Sequence, residues 1–476
     1  MTDPIHVDLD PVKTAKMARD RRTSNPIVIL LGILLLATVL TFIVDSGAYQ
    51  RDGRLVEPGS YHVLEKDVSF RALIAAPSSE PGPSAAPVGL IGMLMSIPKG
   101  LEKSAGLIFM VLIIGGMFGI MKASGTIDAG LERVLAMVKG NIYILVPGLM
   151  IVFSAGSTFL GLASEYLLII PVIVAMANRM GLDSIMGLAI VTIAVKIGYI
   201  ASVTNPLPLT IAQPLLGLPI FSGVGFRLFS YLVFLTAGIA FMLYMIKRRK
   251  NIQELTVDFS SEKLAPRQTL MLGVLGLGIA FLVYASSQWQ WKHEALSAYY
   301  IGLCILLAGL SGLGASAAAD AFVSGMKKIL MASFLIGVAT AVSVVLQEGQ
   351  ILDTIVFNLT SAIGNDGAHI AATGMFFSQL MLDFLIPSTS GQAAVSMPIL
   401  GPIGQISGVS GNTTVLAFLY GNTITNMLTP TSGTLLAYLA TAQVNWTSWA
   451  RFILPLWGIF IVISLILLYI AVATGY

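Results

Sequence analysis

The feature that most constrains this chain is a succession of apolar runs long enough to cross a bilayer. A helix of about 20 apolar residues spans the hydrocarbon core, and the sequence holds roughly ten such stretches. Hydrophobic residues make up 56% of the 476 residues and charged residues 11%, against roughly 25% charged in soluble domains. That much apolar surface cannot be hidden in one aqueous core, so the reading is an all-α polytopic membrane protein, with the lipid bilayer as its surroundings. The net charge of +3 resides in a few loops and gives no sign of a nucleic-acid partner. The single cysteine, Cys304, lies within an apolar run, which excludes an internal disulfide and a thiolate metal site.

Lysine and arginine set the orientation. Residues 1–25 form a basic N-terminal segment, and the Lys247-Arg-Arg-Lys250 run opens a second basic loop; both are expected in the cytoplasm. The segment 1–25 lacks the layout of a signal peptide. Residues 26–99 then read as the first span and an outer loop, and Trp289 and Trp291 as an outer interfacial anchor.

The chain also resembles itself. Gly125 to Gly140 and Gly349 to Gly364 both read as amphipathic helices, displaced by 224 residues. Pro206 and Pro430, Thr210 and Thr434, and Arg227 and Arg451 share that offset, while Glu165 and Gln392, and Pro171 and Pro398, stand 227 apart. The divisions expected are repeat 1 over 100–248, a cytoplasmic loop with two linking helices over 249–322, and repeat 2 over 323–476. Counting spans gives the repeats opposite orientations and puts the C-terminus outside. Inverted repeats of this kind bind substrate near the midplane, where helices are broken.

Four clusters of small polar residues and prolines supply such breaks. Irregular backbone survives in lipid only inside protein or beside water. An unwound helix frees N–H groups that attract carboxylate, and carbonyls and hydroxyls that can hold Na⁺. The first cluster, Ser154 to Thr158 with Ser164-Glu165, and the third, Ile386 to Gln392, read as tips of re-entrant hairpins. The second, Ser202 to Thr210, and the fourth, Gly421 to Thr434, read as unwound midpoints of spanning helices. Candidate substrate-binding residues are Ser157, Thr158, Ser164 and Glu165, then Thr204, Asn205 and Thr210. In the second half they are Ser388, Thr389, Ser390, Gly391 and Gln392, then Asn426, Thr429, Thr431, Ser432 and Thr434. Oxygens of Ser157, Asn205, Ser390 and Thr431 are candidate Na⁺ ligands.

Three ionisable residues, Glu165, Lys196 and Asp383, lie in apolar stretches. Such residues are costly in a membrane and are candidates for ion coupling or a structural ion pair. Glu165 could bind a cation or proton, or hold its hairpin through backbone N–H groups; Lys196 could pair with either acid. Arg227 and Arg451 read as interfacial anchors. The histidines, His6, His62, His293 and His369, are scattered, and no catalytic motif is present, so no enzyme is expected and no cofactor beyond Na⁺ or H⁺ as coupling ion.

Ser24-Asn-Pro26, Gly47-Ala-Tyr-Gln50 with Pro58-Gly-Ser-Tyr61, Ile386-Pro-Ser-Thr-Ser-Gly-Gln-Ala-Ala394, Thr429-Pro-Thr-Ser-Gly-Thr434 and Trp449-Ala-Arg-Phe-Ile-Leu-Pro455 run nearly the whole length of the chain. With these motifs it resembles the YfcC-like branch of the C4-dicarboxylate anaerobic carrier family, within the ion transporter superfamily. The resemblance implies a dimeric elevator-type carrier of the bacterial inner membrane, in which a scaffold domain holds a moving transport domain. The functional expectation is a secondary transporter of small carboxylate-bearing metabolites coupled to Na⁺ or H⁺. A basic amino-acid exchanger and a cation/proton antiporter stay open as alternatives.

Overall fold

The computed structural model describes residues 26–52, 55–68, 84–127, 129–130, 141–248, 265–289, 291, 293–363 and 367–476. The basic segment 1–25, most of the loop after Lys247-Arg248 and most of the Gly125–Gly140 stretch therefore lie outside the described residues.

Helices α1 (Pro26–Ile43), α2 (Leu90–Lys103) and α3 (Ala105–Ala123) come first, then α4 (Ile142–Leu160), α5 (Ile170–Arg179), α6 (Ser184–Ala201), α7 (Pro206–Leu215) and α8 (Val224–Arg248). The connecting helices are α9 (Pro266–Trp289) and α10 (His293–Leu310). The second series is α11 (Ala315–Glu348), α12 (Leu352–Ser361), α13 (Ala368–Leu385), α14 (Thr389–Ile406), α15 (Gly411–Asn426), α16 (Gly433–Ala442) and α17 (Trp446–Ala473). The boundaries expected at 99/100 and 322/323 fall inside α2 and α11. Among the described residues, six helices are long and apolar enough to cross a membrane.

α2 and α3 together run antiparallel to α11, with one break at Ser104, whose hydroxyl meets Thr340 Oγ1 at 2.5 Å. Close approach here depends on glycine: a Cβ at Gly119 would lie 2.2 Å from the Ala321 carbonyl oxygen, and one at Gly325 2.2 Å from that of Gly115. Such small-residue seams hold membrane helices together where no hydrophobic force acts between them.

At the centre, α6 and α15 pack on each other, and α15 is buried from Thr413 to Asn426. Its polar side chains, Asn422 and Asn426 among them, therefore need partners inside the protein. On the side of Ser46 to Lys66, two short antiparallel ladders, 47–48 with 62–63 and 51–52 with 55–56, fold onto α12 and α14. Tyr61 stacks on Phe357 with centroids 4.1 Å apart, and Ser46 Oγ donates to Gly349 O.

Candidate functional site

Each broken helix begins again with a capping side chain. Asn205 Oδ1 accepts from Leu207 N at 3.0 Å, with Pro206 as the first helical residue of α7. Ser388 Oγ accepts from Gly391 N at 3.3 Å to start α14, and Ser432 Oγ from Leu435 N at 3.2 Å to start α16. Proline and these caps end one helix and start the next, each cap taking one of the N–H groups freed there.

The first hairpin corrects the sequence reading. Ser154, Ser157 and Thr158 remain in α4, and the chain breaks at Gly161–Ala163, where Gly161 has φ +76°. The polar cluster serves packing instead. Ser157 Oγ donates to Val195 O at 2.8 Å, and Thr158 Oγ1 accepts from Val203 N at 3.0 Å. Thr204 Oγ1 donates to Phe159 O, and Thr210 to Pro206 O within its own helix. Tyr199 and Tyr438 hydroxyls donate to Gly161 O and Ala163 O. Ser164 opens a short 3₁₀ turn, Ser164–Leu168, and Glu165 Oε2 accepts from Ala163 N at 2.9 Å. This tip is closed upon its own unwound helix.

The second hairpin faces its own break in the same manner: Thr431 Oγ1 donates to Phe384 O and Thr389 Oγ1 to Asn422 Oδ1, both at 2.9 Å. Thr429 and Thr431 hydroxyls meet at 2.7 Å. Here, however, the tip also lines a cavity of about 1030 Å³. Ser388, Ser390 and Gly391 at the start of α14 line it, as do Thr431, Gly433 and Thr434 at the start of α16. Facing them are Lys103, Ser104, Thr340, Ser343 and Gln347 from the α2–α3/α11 pair, with Arg51 and Asp353 at the folded segment. Arg51 pairs with Asp353 at 2.6 Å. Asp353 also accepts from Tyr49 N. Burial, with Asp353 beside it, pushes the Tyr49 phenol up to about 12.

Behind the tip lies a buried polar network. Lys196 is 7% exposed and Asp383 fully buried, and the two form no direct ion pair. Lys196 Nζ donates to Asn426 Oδ1 at 2.6 Å, and Asn426 Nδ2 to Asp383 Oδ1 at 3.4 Å. Asn422 Nδ2 donates to Asp383 Oδ1 and to Gln392 Oε1, each at 2.8 Å. Gln392 donates onward to Gln379, and Ser432 Oγ to Asn426 Oδ1. The pairing of Lys196 with Glu165, left open by the sequence, is not what the structure has: Lys196 turns to the second half.

The sequence reading missed Asn422, Gln379, Lys103, Arg51 and the α11 polar face. Asn422 and Asn426, one turn apart in an apolar helix, were the available signal for the network. The arginine reading also changes: Arg227 is fully buried, and its guanidinium donates to Ser202 O, Val203 O and Ser222 O. Arg451 is exposed.

Residues 24–473 match the C4-dicarboxylate anaerobic carrier family. The chain belongs to that family. It is a multi-pass membrane transporter, with a small molecule as its substrate. It is similar to "Putative basic amino acid antiporter YfcC" of Escherichia coli (strain K12), 27% identical over 98% of this chain and all of that one. An uncharacterized protein of Haemophilus influenzae is 23% identical over 94% of this chain and 96% of its own length. Among solved structures it is similar to the YdaH transporter of Alcanivorax borkumensis (15% identity, covering 95% and 99% of the two chains, TM-score 0.43) and to MtrF of Neisseria gonorrhoeae (17%, 94% and 95%, TM-score 0.41).

Proposed function

We propose that this C4-dicarboxylate anaerobic carrier family member moves small dicarboxylates across the cytoplasmic membrane as an ion-coupled secondary transporter. One observation carries the reading: the starts of α14 and α16 line the same cavity as Lys103 and Arg51. A helix start presents unpaired N–H groups and the positive end of a dipole, which favour carboxylate. Two such starts, with the Lys103 ammonium facing them and Arg51 already paired with Asp353, suit a ligand with two carboxylates. The side-chain hydroxyls of Ser388, Ser390 and Thr434 add donors around them. A basic amino acid would need a free carboxylate, and the acid among the described lining residues, Asp353, is held by Arg51.

The mechanism we assign is an elevator movement between inverted repeats. The glycine seam of α2–α3 with α11 makes a rigid scaffold, and the hairpins with their broken helices make the moving unit. The cavity lies between the two, so substrate held by the α14 and α16 starts would travel with the hairpin. A homodimer is the assembly expected for such a scaffold.

Counterflow in proteoliposomes tests the reading. Labelled succinate should exchange against internal succinate or malate and ignore arginine. Exchange of arginine without succinate would replace the dicarboxylate reading with amino-acid exchange.

A further inference from the structure

We infer that the buried chain Lys196–Asn426–Asp383 is the coupling element of this transporter: the Asp383 carboxylate is its proton-binding site, and the Lys196 ammonium is a built-in counter-cation. The inference deepens the dicarboxylate reading and rests on it for the charge of the substrate.

The geometry has three parts. First, Asp383 uses one oxygen only. Oδ1 accepts from Asn422 and Asn426, while the buried Oδ2 has no hydrogen-bond partner among the described residues. An ionised oxygen left alone in a dry interior is costly, and a proton removes that cost. Second, the compensating charge stands off. Lys196 reaches the acid through the Asn426 amide, so the pair is neutral in sum without being locked as an ion pair.

Third, the same amides hold the hairpin tip. Asn422 accepts from Thr389, and Asn426 Nδ2 also reaches Pro387 O at 3.4 Å. Pro387 lines the cavity and Thr389 opens α14 beside the lining Ser390.

Other charges do not do this work. α13 packs on α11, α12, α14, α15 and α17. Their described titratable groups are Asp320, Lys327, Lys328 and Glu348 on α11, Asp353 on α12, Tyr420 on α15, and Arg451 and Tyr469 on α17; α14 has none, and α13 itself adds His369. Among the described charged groups, Lys196 from α6 is the one joined to Asp383 through the amide network.

The step balances simply. A proton from water adds to Oδ2, forming one O–H bond, and the pair goes from neutral to a charge of plus one. Bonds from Asn422 and Asn426 to Oδ1 lose their charge assistance and weaken, which loosens the tip. The now uncompensated Lys196 charge favours an anion in the neighbouring cavity. Proton and carboxylate therefore bind cooperatively, each raising the affinity of the other, and they cross together.

Proteoliposomes loaded with alkaline buffer and free of Na⁺ read this out. Wild-type protein should accumulate labelled succinate, by up to about tenfold per unit of imposed pH gradient for one proton per substrate. Asp383→Asn should lose that accumulation while succinate counterflow continues at a reduced rate, which also demonstrates a folded carrier. Accumulation by wild type that follows a Na⁺ gradient and ignores pH, or accumulation by the variant equal to wild type, would overturn the inference. If wild type exchanges no succinate, the dicarboxylate reading fails. The coupling site is then judged without substrate, by infrared difference titration of purified full-length protein. A carboxylic C=O band that grows as pH is lowered, and is missing in Asp383→Asn, supports the proton site. No such band overturns it.

Discussion

The two hairpins each close on a broken helix, and their polar groups have opposite fates. In the first, polar groups close the tip: Thr158 holds Val203 N, Tyr199 holds Gly161 O, and Glu165 holds Ala163 N. The second leaves hydroxyls facing a cavity and buries an acid and, through Asn426, a lysine behind them. One detail shows how equivalent positions are met by different chemistry. The Val203 carbonyl just past α6 receives the Arg227 guanidinium, and the Met427 carbonyl, 224 residues on, receives the Trp449 indole at 2.9 Å. A buried carbonyl needs a donor in both places, and it does not need the same one. The lesson is that the two tips differ in openness and in the acid buried behind one of them.

The sharpest break of that comparison comes from the two donors. Arg227→Ala removes a buried cation that serves three carbonyls. Bonds from a charged group contribute about 1.5–3 kcal/mol, and each carbonyl left unpaired adds its own cost. The loss should be about 3 kcal/mol or more, seen as a large fall in Tm of detergent-purified protein or as failure to accumulate. Trp449→Phe removes one neutral bond and should cost about 1 kcal/mol. Equal effects of the two changes would mean that the carbonyls are satisfied by other means.

Next in size are changes to the cavity's charge. Lys103→Gln should raise KM for succinate by about tenfold, the equivalent of one ion-assisted contact of about 1.4 kcal/mol, with Tm unmoved, since Lys103 is exposed. An unchanged KM would remove Lys103 from the site. Glu165→Gln offers the complementary test in the first half. The amide oxygen can still accept from Ala163 N, so uptake should fall by no more than about threefold, less than one weak hydrogen bond, with its pH dependence intact. Loss of pH-driven accumulation would move the coupling site to Glu165.

Much of this was legible before the structure, and the physical reasons differ by residue. The breaks at 202–205, 386–388 and 427–432 announce themselves through proline and capping Asn or Ser, whose effects are local. The first tip was misjudged because Ser154, Ser157 and Thr158 look like breakers, yet each finds a partner on a neighbouring element, Tyr231, Val195 and Val203, that no local pattern shows. The real signal was Gly161, able to take φ +76° without strain. Lys103, Arg51 and Thr340 join the cavity through contacts between segments hundreds of residues apart. The burial of Arg227 was hidden for the same reason: its partners are carbonyls freed by a break 24 and 25 residues away.

The smallest expected effects make the cleanest contrast, because they cross over. Ser157 and Ser390 are both first-choice hydroxyls of a hairpin, one buried with its bond to Val195 O, the other exposed at the cavity wall. Ser157→Ala removes a buried donor from a membrane-embedded carbonyl and should lower stability by about 1 kcal/mol, leaving KM for succinate alone. Ser390→Ala should leave Tm alone and raise KM by about threefold, as expected for one neutral hydrogen bond to substrate. Measured side by side, Tm and KM should each respond to one variant only. A KM effect at Ser157 would return the first hairpin to the substrate site, and a Tm effect at Ser390 would make the second tip structural in the way the first one is.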